Sequence, residues 1–187
     1  MAAKVAEAAT PARRATESDL RGAPRDGRKY ELVDGQVVVS PAGFRHGVVA
    51  LRIGARLLAF VERGQLGYVL DSSTGFRLPS GNVRSPDASF VARTRVPEGS
   101  VPQGFADLVP DLAVEVLSPE DSQRAILDKV GEYLQAGVRL VWVVDPQGGS
   151  AAVYRSLTDV RELKGGGSLD GEDVLPGFRC SLGDVLR

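Results

Sequence analysis

The apolar positions of this chain follow two periods, and the switches between them mark its elements. Val49, Ile53, Leu57 and Phe60 recur at helical spacing, which predicts a helix from about Arg45 to Glu62, stopped by Gly64. A second helical face joins Ile126, Val130 and Leu134, with Leu127 and Tyr133 beside it, and ends at Ala136-Gly137. Ser118-Pro119-Glu120-Asp121 matches the start of that helix, with Ser at the N-cap, Pro at N1 and an acid at N3. Thr16-Glu17-Ser18-Asp19-Leu20 reads as a short capped helix, ended by Gly22, Pro24 and Gly27. Tyr30 to Val39 reads as a hairpin, because Asp34-Gly35 between apolar runs supplies the backbone of a tight turn. Short strands are expected at Tyr68–Leu70, Gly75–Leu78, Asp87–Ala92 and Ala151–Arg155. Leu112–Leu117 and Leu140–Val144 flank the second long helix, and the latter is a continuous apolar run, as in a strand covered on both faces. Strand, helix and strand at this spacing form a right-handed βαβ unit.

The remaining stretches are punctuation. Residues 94–108 read as an exposed loop, and the glycine-rich residues 164–176 as a loose segment before Phe178–Leu186 packs back on the core. Residues 1–15 are Ala-rich and aperiodic and are expected to be a mobile tail. That leaves residues 16–187 as one domain of α/β (mixed α+β) class.

Composition narrows the function. The chain has 187 residues and a formal net charge of −1, the size of a single domain. The lone Cys180 excludes an internal disulfide and a multi-cysteine zinc site, and the lone His46 excludes a multi-histidine metal centre. A net charge near zero argues against gripping nucleic acid by bulk electrostatics but leaves room for a local basic patch. The cations are nearly all arginine. Only Lys4, Lys29, Lys129 and Lys164 are lysines, so at these positions a compact ammonium stands where the chain otherwise uses a planar fork. No apolar run approaches the roughly 20 residues of a membrane span, and the N-terminus holds no apolar core of signal-peptide length. A cytoplasmic protein with no membrane contact is expected.

Familiar catalytic motifs are missing: there is no phosphate-binding glycine loop with its lysine, no dinucleotide fingerprint and no nucleophile elbow. What remains is a set of acids on strands. Asp87 follows Pro86 and opens a strand, and Glu115 stands inside Leu112-Ala113-Val114-Glu115-Val116-Leu117. An ionised Glu in a buried strand is costly unless it is paired or binds a cation. Alternation places Glu115 with Ala113 and Leu117, away from the Leu112, Val114 and Val116 stripe and near the strand end. Lys129 lies on the following helix, at the border of its buried face, where a βα turn can bring it back over the strand end. Two acids and a lysine converging there suit phosphodiester hydrolysis. The acids hold Mg²⁺ or Mn²⁺, and the ammonium stabilises charge on the phosphoryl oxygens. The carbonyl of Val116 is the expected third metal ligand. If Asp87, Glu115 and Lys129 stood more than about 8 Å apart with no shared cavity, that chemistry would fail.

The motifs also carry a resemblance. Ser85-Pro86-Asp87, then Pro110-Asp111-Leu112-Ala113-Val114-Glu115-Val116-Leu117-Ser118-Pro119, then Lys129 and Tyr133 ahead of Gly137-Val138 and Trp142-Val143-Val144-Asp145-Pro146, resemble the Uma-two family of restriction endonucleases within the PD-(D/E)XK nuclease superfamily. Tyr30-Glu31-Leu32-Val33-Asp34-Gly35 and His46 are similar to its N-terminal motifs. The resemblance implies a restriction-endonuclease-like core, a mixed β-sheet flanked by helices. It implies Asp87 as the first acid and Glu115 as the second. Glu31 reads either as a hairpin residue on an exposed face or as a group near the metal, and His46, at a helix start, as a capping or positioning residue whose imidazole could also bind phosphate or relay a proton. The superfamily lysine two residues after the second acid is absent, since Leu117 is there; in relatives of this kind it moves to the next helix, where Lys129 fits.

The expected function is therefore a Mg²⁺-dependent DNA endonuclease. A C2 homodimer is expected because cutting both strands takes two sites or two events. The alternative is a non-catalytic nuclease-fold protein that binds DNA or a protein partner. As a residue on the border of the buried face, Lys129 is expected to contribute little to folding stability.

Overall fold

The computed structural model describes residues 13–40, 43–96 and 100–187. Most of the expected tail lies outside the described residues. Where description begins the chain is already fixed, since the Ala15 amide donates to the Gly35 carbonyl at 2.6 Å. Helix α1 (Glu17–Arg21) starts at Thr16, whose amide and hydroxyl both donate to the Asp19 carboxylate. Strands β1 (Lys29–Val33) and β2 (Gln36–Ser40) form the expected hairpin. Its turn is left-handed at both Asp34 (φ 51) and Gly35 (φ 76), the backbone that Asp-Gly tolerates best.

Helix α2 (Phe44–Gly64) buries Val49, Ile53, Leu57 and Val61, so Val61 takes the fourth core position that the spacing gave to Phe60. Strand β3 (Gly67–Asp71), the short β4 (Phe76–Arg77) and β5 (Val83–Arg84), and β6 (Ala88–Ala92) follow. Strand β7 (Leu112–Val116), helix α3 (Gln123–Ala136) and strand β8 (Leu140–Asp145) make the central unit, and β7 and β8 pair in parallel as expected. Strand β9 (Ser150–Tyr154) then returns antiparallel to β8. Three elements within or beside the supposedly loose region are regular: β10 (Val160–Lys164), β11 (Ser168–Asp170) and β12 (Arg179–Ser181). Strand β10 extends the large sheet against β9, and β11 pairs with β12. Glycines 165–167 lie in the turn between β10 and β11, so they interrupt strands rather than replace them.

The start of α3 differs from the expectation. Ser118 does not cap the helix. Its amide donates to Asp121 Oδ2 at 2.8 Å, and the Asp121 amide donates back to the Ser118 carbonyl, closing a turn. The helix begins one turn later at Ser122, whose hydroxyl accepts from the Ala125 amide. Gly137 (φ 101) ends it.

The large sheet runs β10-β9-β8-β7-β6-β3, mixed through its one parallel pair, and a four-stranded sheet runs β2-β1-β5-β4. The large sheet is covered on both faces. Leu112, Val114, Leu140 and Trp142 pack against α2 and the C-terminal segment with Phe178 and Leu182. Ala113, Val141 and Val143 pack against Val130 and Tyr133 of α3. This is a mixed α+β fold with a large mixed sheet flanked by helices.

Helix α1 is held from outside. Arg77 Nε donates to Glu17 Oε2 at 2.6 Å, and Arg21 bonds Oε1. The Arg77 bond, then the Arg21 bond, hold the Glu17 carboxyl down at about 2 against a small opposing effect of burial. A depressed acid contributes stability that is full above its ordinary value and is lost as the pH falls through the folded value. Glu17→Gln is therefore expected to cost about 1 kcal/mol at pH 7, the scale of a solvent-screened pair, and the two proteins should converge in urea unfolding as the pH falls towards 2.

Candidate active site

Strand pairing aims the two central acids at one place. Ala88 pairs with Val114, and the Asp87 amide donates to the Val114 carbonyl at 2.9 Å. Continuing that register by one residue puts Asp87 across from Glu115, with both carboxylates on one face of the sheet. The hairpin, the first turn of α2 and the first half of α3 close around them. The resulting cavity of about 820 Å³ is lined by Lys29, Glu31, His46, Asp87, Glu115 and Lys129, among others.

Each of the three buried acids in this cavity is engaged. Asp87 takes Lys29 Nζ on Oδ1 at 2.9 Å, and the Val116 amide and His46 Nε2 on Oδ2 at 2.8 and 3.0 Å. Glu115 takes Lys129 Nζ on Oε2 at 2.9 Å and the Tyr133 hydroxyl on Oε1 at 2.7 Å. Glu31 accepts the Ser85 amide at 2.7 Å and lies 3.5 Å from Lys129 Nζ and 3.6 Å from Arg84. Buried acids need such partners, because an unpaired buried charge costs several kcal/mol.

The three carboxyls respond differently to nearly the same surroundings. Burial pushes Asp87 up, but the His46 bond, the Lys29 charge and the Val116 amide hold it well below the usual carboxylate range. Glu31 is also below its ordinary value: burial raises it, and Lys129, Lys29, the Ser85 amide and Arg84 outweigh that. Glu115 goes the other way. Burial raises it, Lys129 and Lys29 pull it down, and Asp87 and Glu31 add to the rise, which wins. The Lys129 ammonium is held in its charged form, since Glu115 and Glu31 outweigh the cost of burying it.

A family model described as "Putative restriction endonuclease" matches residues 18–183. The chain belongs to the Uma2 family. A crystal structure from Anabaena variabilis ATCC 29413, described as a "putative nuclease belonging to DUF820", is similar in fold, with a TM-score of 0.80 and 18% identity over 91% of this chain and 97% of that one. No curated protein matches the chain at a significant level.

In this Uma2 chain the structure brings Asp87, Glu115, Lys129, Glu31 and His46 into one cavity. Val116 also lines it, and its amide donates to Asp87. Lys129 stands at the border of the buried face of α3, between exposed Asp128 and buried Val130, and its side chain, 12% exposed, reaches between two buried glutamates. Three participants were missed. Lys29 shares a hairpin face with Glu31, two residues on, and was marked only by the scarcity of lysine. Tyr133 stands one helical turn after Lys129, so the i, i+4 spacing signals that both reach the same partner. Arg84 left no signal, because β5 is two residues long. Not every buried acid belongs here: Asp111 accepts the Ala92 amide and pairs with Arg95 at the far end of β7.

Proposed function

We propose that this protein is a divalent-metal-dependent DNA endonuclease that hydrolyses phosphodiester bonds. The observation that carries the reading is the convergence of Asp87, Glu115 and Lys129 in one cavity at a strand end, in a member of a family described as restriction endonucleases. The donor set suits a hard cation such as Mg²⁺ or Mn²⁺, because it offers carboxylate oxygens without thiolates. The set is not a preformed cage. Among the described residues no group of three or more His, Cys, Asp or Glu side chains is arranged to hold an ion, so carbonyls such as that of Val116, water and substrate would complete the shell.

A bound divalent cation would supply Lewis acidity at the phosphoryl group. The chain's own residues do the rest. Lys129 places an ammonium beside Glu115, where charge would develop on the phosphoryl oxygens. Tyr133 fixes Glu115 from its other oxygen, Glu31 holds Lys129 from the opposite side, and His46 fixes the orientation of Asp87.

Plasmid and oligonucleotide DNA should be cut only with Mg²⁺ or Mn²⁺ present. Glu115→Gln should lose both cleavage and the Mn²⁺ binding seen by calorimetry. Cleavage by that variant, or unchanged Mn²⁺ binding in it, overturns the assignment.

A second reading, a non-catalytic nuclease-fold protein with a protein partner, draws on one observation. Phe44 (92% exposed), Leu51 (74%) and Leu58 stand at seven-residue intervals on α2, an apolar ridge beside the cavity. The same ridge is available to a homodimer. DNA left intact with either ion would favour this reading.

A further inference from the structure

Lys29 has no place in the chemistry above, yet it holds one of the two central acids. Its Nζ lies 2.9 Å from Asp87 Oδ1, and its side chain is only 14% exposed. Strand alternation sends Lys29 and Glu31 from the same face of β1 into the cavity. The other Asp87 oxygen is committed to the fold: Oδ2 takes the Val116 amide from the neighbouring strand and His46 from the first turn of α2. Oδ1 is therefore the oxygen through which Asp87 can meet a cation, and a lysine already reaches it.

We propose that Lys29 and the divalent cation compete for Asp87 Oδ1, so that Lys29 sets the metal affinity of the site. This rests on the metal-dependent reading given above. A single and a double positive charge a few ångströms apart in a half-buried cavity repel strongly, so both cannot rest on one carboxylate oxygen. Lysine suits the role because its flexible four-carbon stem can withdraw a point charge without dismantling the hairpin. Lys129 differs, because it lies between Glu115 and Glu31 and keeps a second acid when one is taken from it.

Calorimetric titration of the full chain with Mn²⁺ tests the inference. Lys29→Met keeps the length and removes the charge, and Asp87 retains two donors in that variant. It should bind Mn²⁺ at least tenfold more tightly than wild type with unchanged stoichiometry. Lys29→Arg, which restores a cation, should bind no more tightly than wild type. Lys29→Gln serves if the Met variant does not give a cooperative melt by circular dichroism, and the same tightening is expected of it. A lysine with only a structural role predicts a lower melting temperature with Mn²⁺ affinity unchanged or weakened. That result overturns the competition, while loss of binding in Glu115→Gln would leave the metal site standing. Absence of Mn²⁺ binding in wild type and Lys29→Met alike overturns the competition and the metal-dependent reading together.

Discussion

Alanine at Lys129 is expected to lower the unfolding free energy by about 3–5 kcal/mol, the cost of stripping one partner from a buried ion pair. The ammonium lies 2.9 Å from Glu115 and 3.5 Å from Glu31, and both carboxylates are almost fully buried. Removing it leaves two acids facing each other across a cavity. Glu31 keeps the Ser85 amide and Arg84, but Glu115 keeps only the Tyr133 hydroxyl at close range. This reverses the expectation drawn from sequence, where a lysine on the border of a helix face contributes little. Urea denaturation of wild type and variant measures the loss. Pairing Lys129→Met with Glu115→Gln should recover most of it, because the acid then needs no counter-charge, and the double-mutant cycle isolates the coupling. A loss below about 1 kcal/mol would place the pair on the exposed-surface scale.

The same residue separates folding from chemistry. Lys129→Arg keeps the charge and should keep most of the stability. Turnover should still fall by about 10²–10³, the usual consequence of losing one preorganised charge, since a planar fork cannot put a compact ammonium in the same space. Single-turnover cleavage at saturating Mg²⁺ reads this. A folded Lys129→Arg protein that cuts at the wild-type rate would confine Lys129 to structure.

Local chemistry explains what was legible in the sequence. Asp34-Gly35 encodes its turn by itself, and the run Leu140–Val144 announces a strand with two covered faces; both are in the structure as read. Asp87 and Glu115 were legible because an acid in an apolar strand is conspicuous. Lys129 was legible too, as the group returned over the strand end by the next helix, but Lys29 and the Ser85 amide were not, because they come from distant parts of the chain. Lys29 reaches Asp87 across 58 positions, and the Ser85 amide reaches Glu31 across 54. The false start of α3 has a local cause. Ser-Pro-Glu-Asp satisfies the same donors as an N-cap, and here it does so in a closed turn ahead of the helix. Strands β10 and β11 were hidden because the glycines that join them dominate the composition, and because β10, at the sheet edge, buries only Leu163.

Trp142 carries the other large effect. It is the only tryptophan, fully buried on β8, with its ring stacked on Phe178 at 5.8 Å and an interplanar angle of 26°. Phe178 in turn meets Phe60 of α2 edge-on at 5.4 Å, so the indole joins the sheet, the C-terminal segment and α2. Trp142→Ala should therefore cost about 3–5 kcal/mol, the range for emptying a large aromatic from a core. Trp142→Phe should cost clearly less. It keeps a ring against Phe178 and removes an indole N–H that has no hydrogen-bond partner among the described residues, so only lost volume remains. Circular dichroism in urea measures both variants. In wild type, emission from the single indole should be blue-shifted in the native state and move to the red in the same transition. Early red-shifted emission, ahead of the loss of secondary structure, would mean that the C-terminal segment detaches from β8 before the sheet unfolds. Coincident curves would show that the segment and the sheet unfold as one cooperative unit.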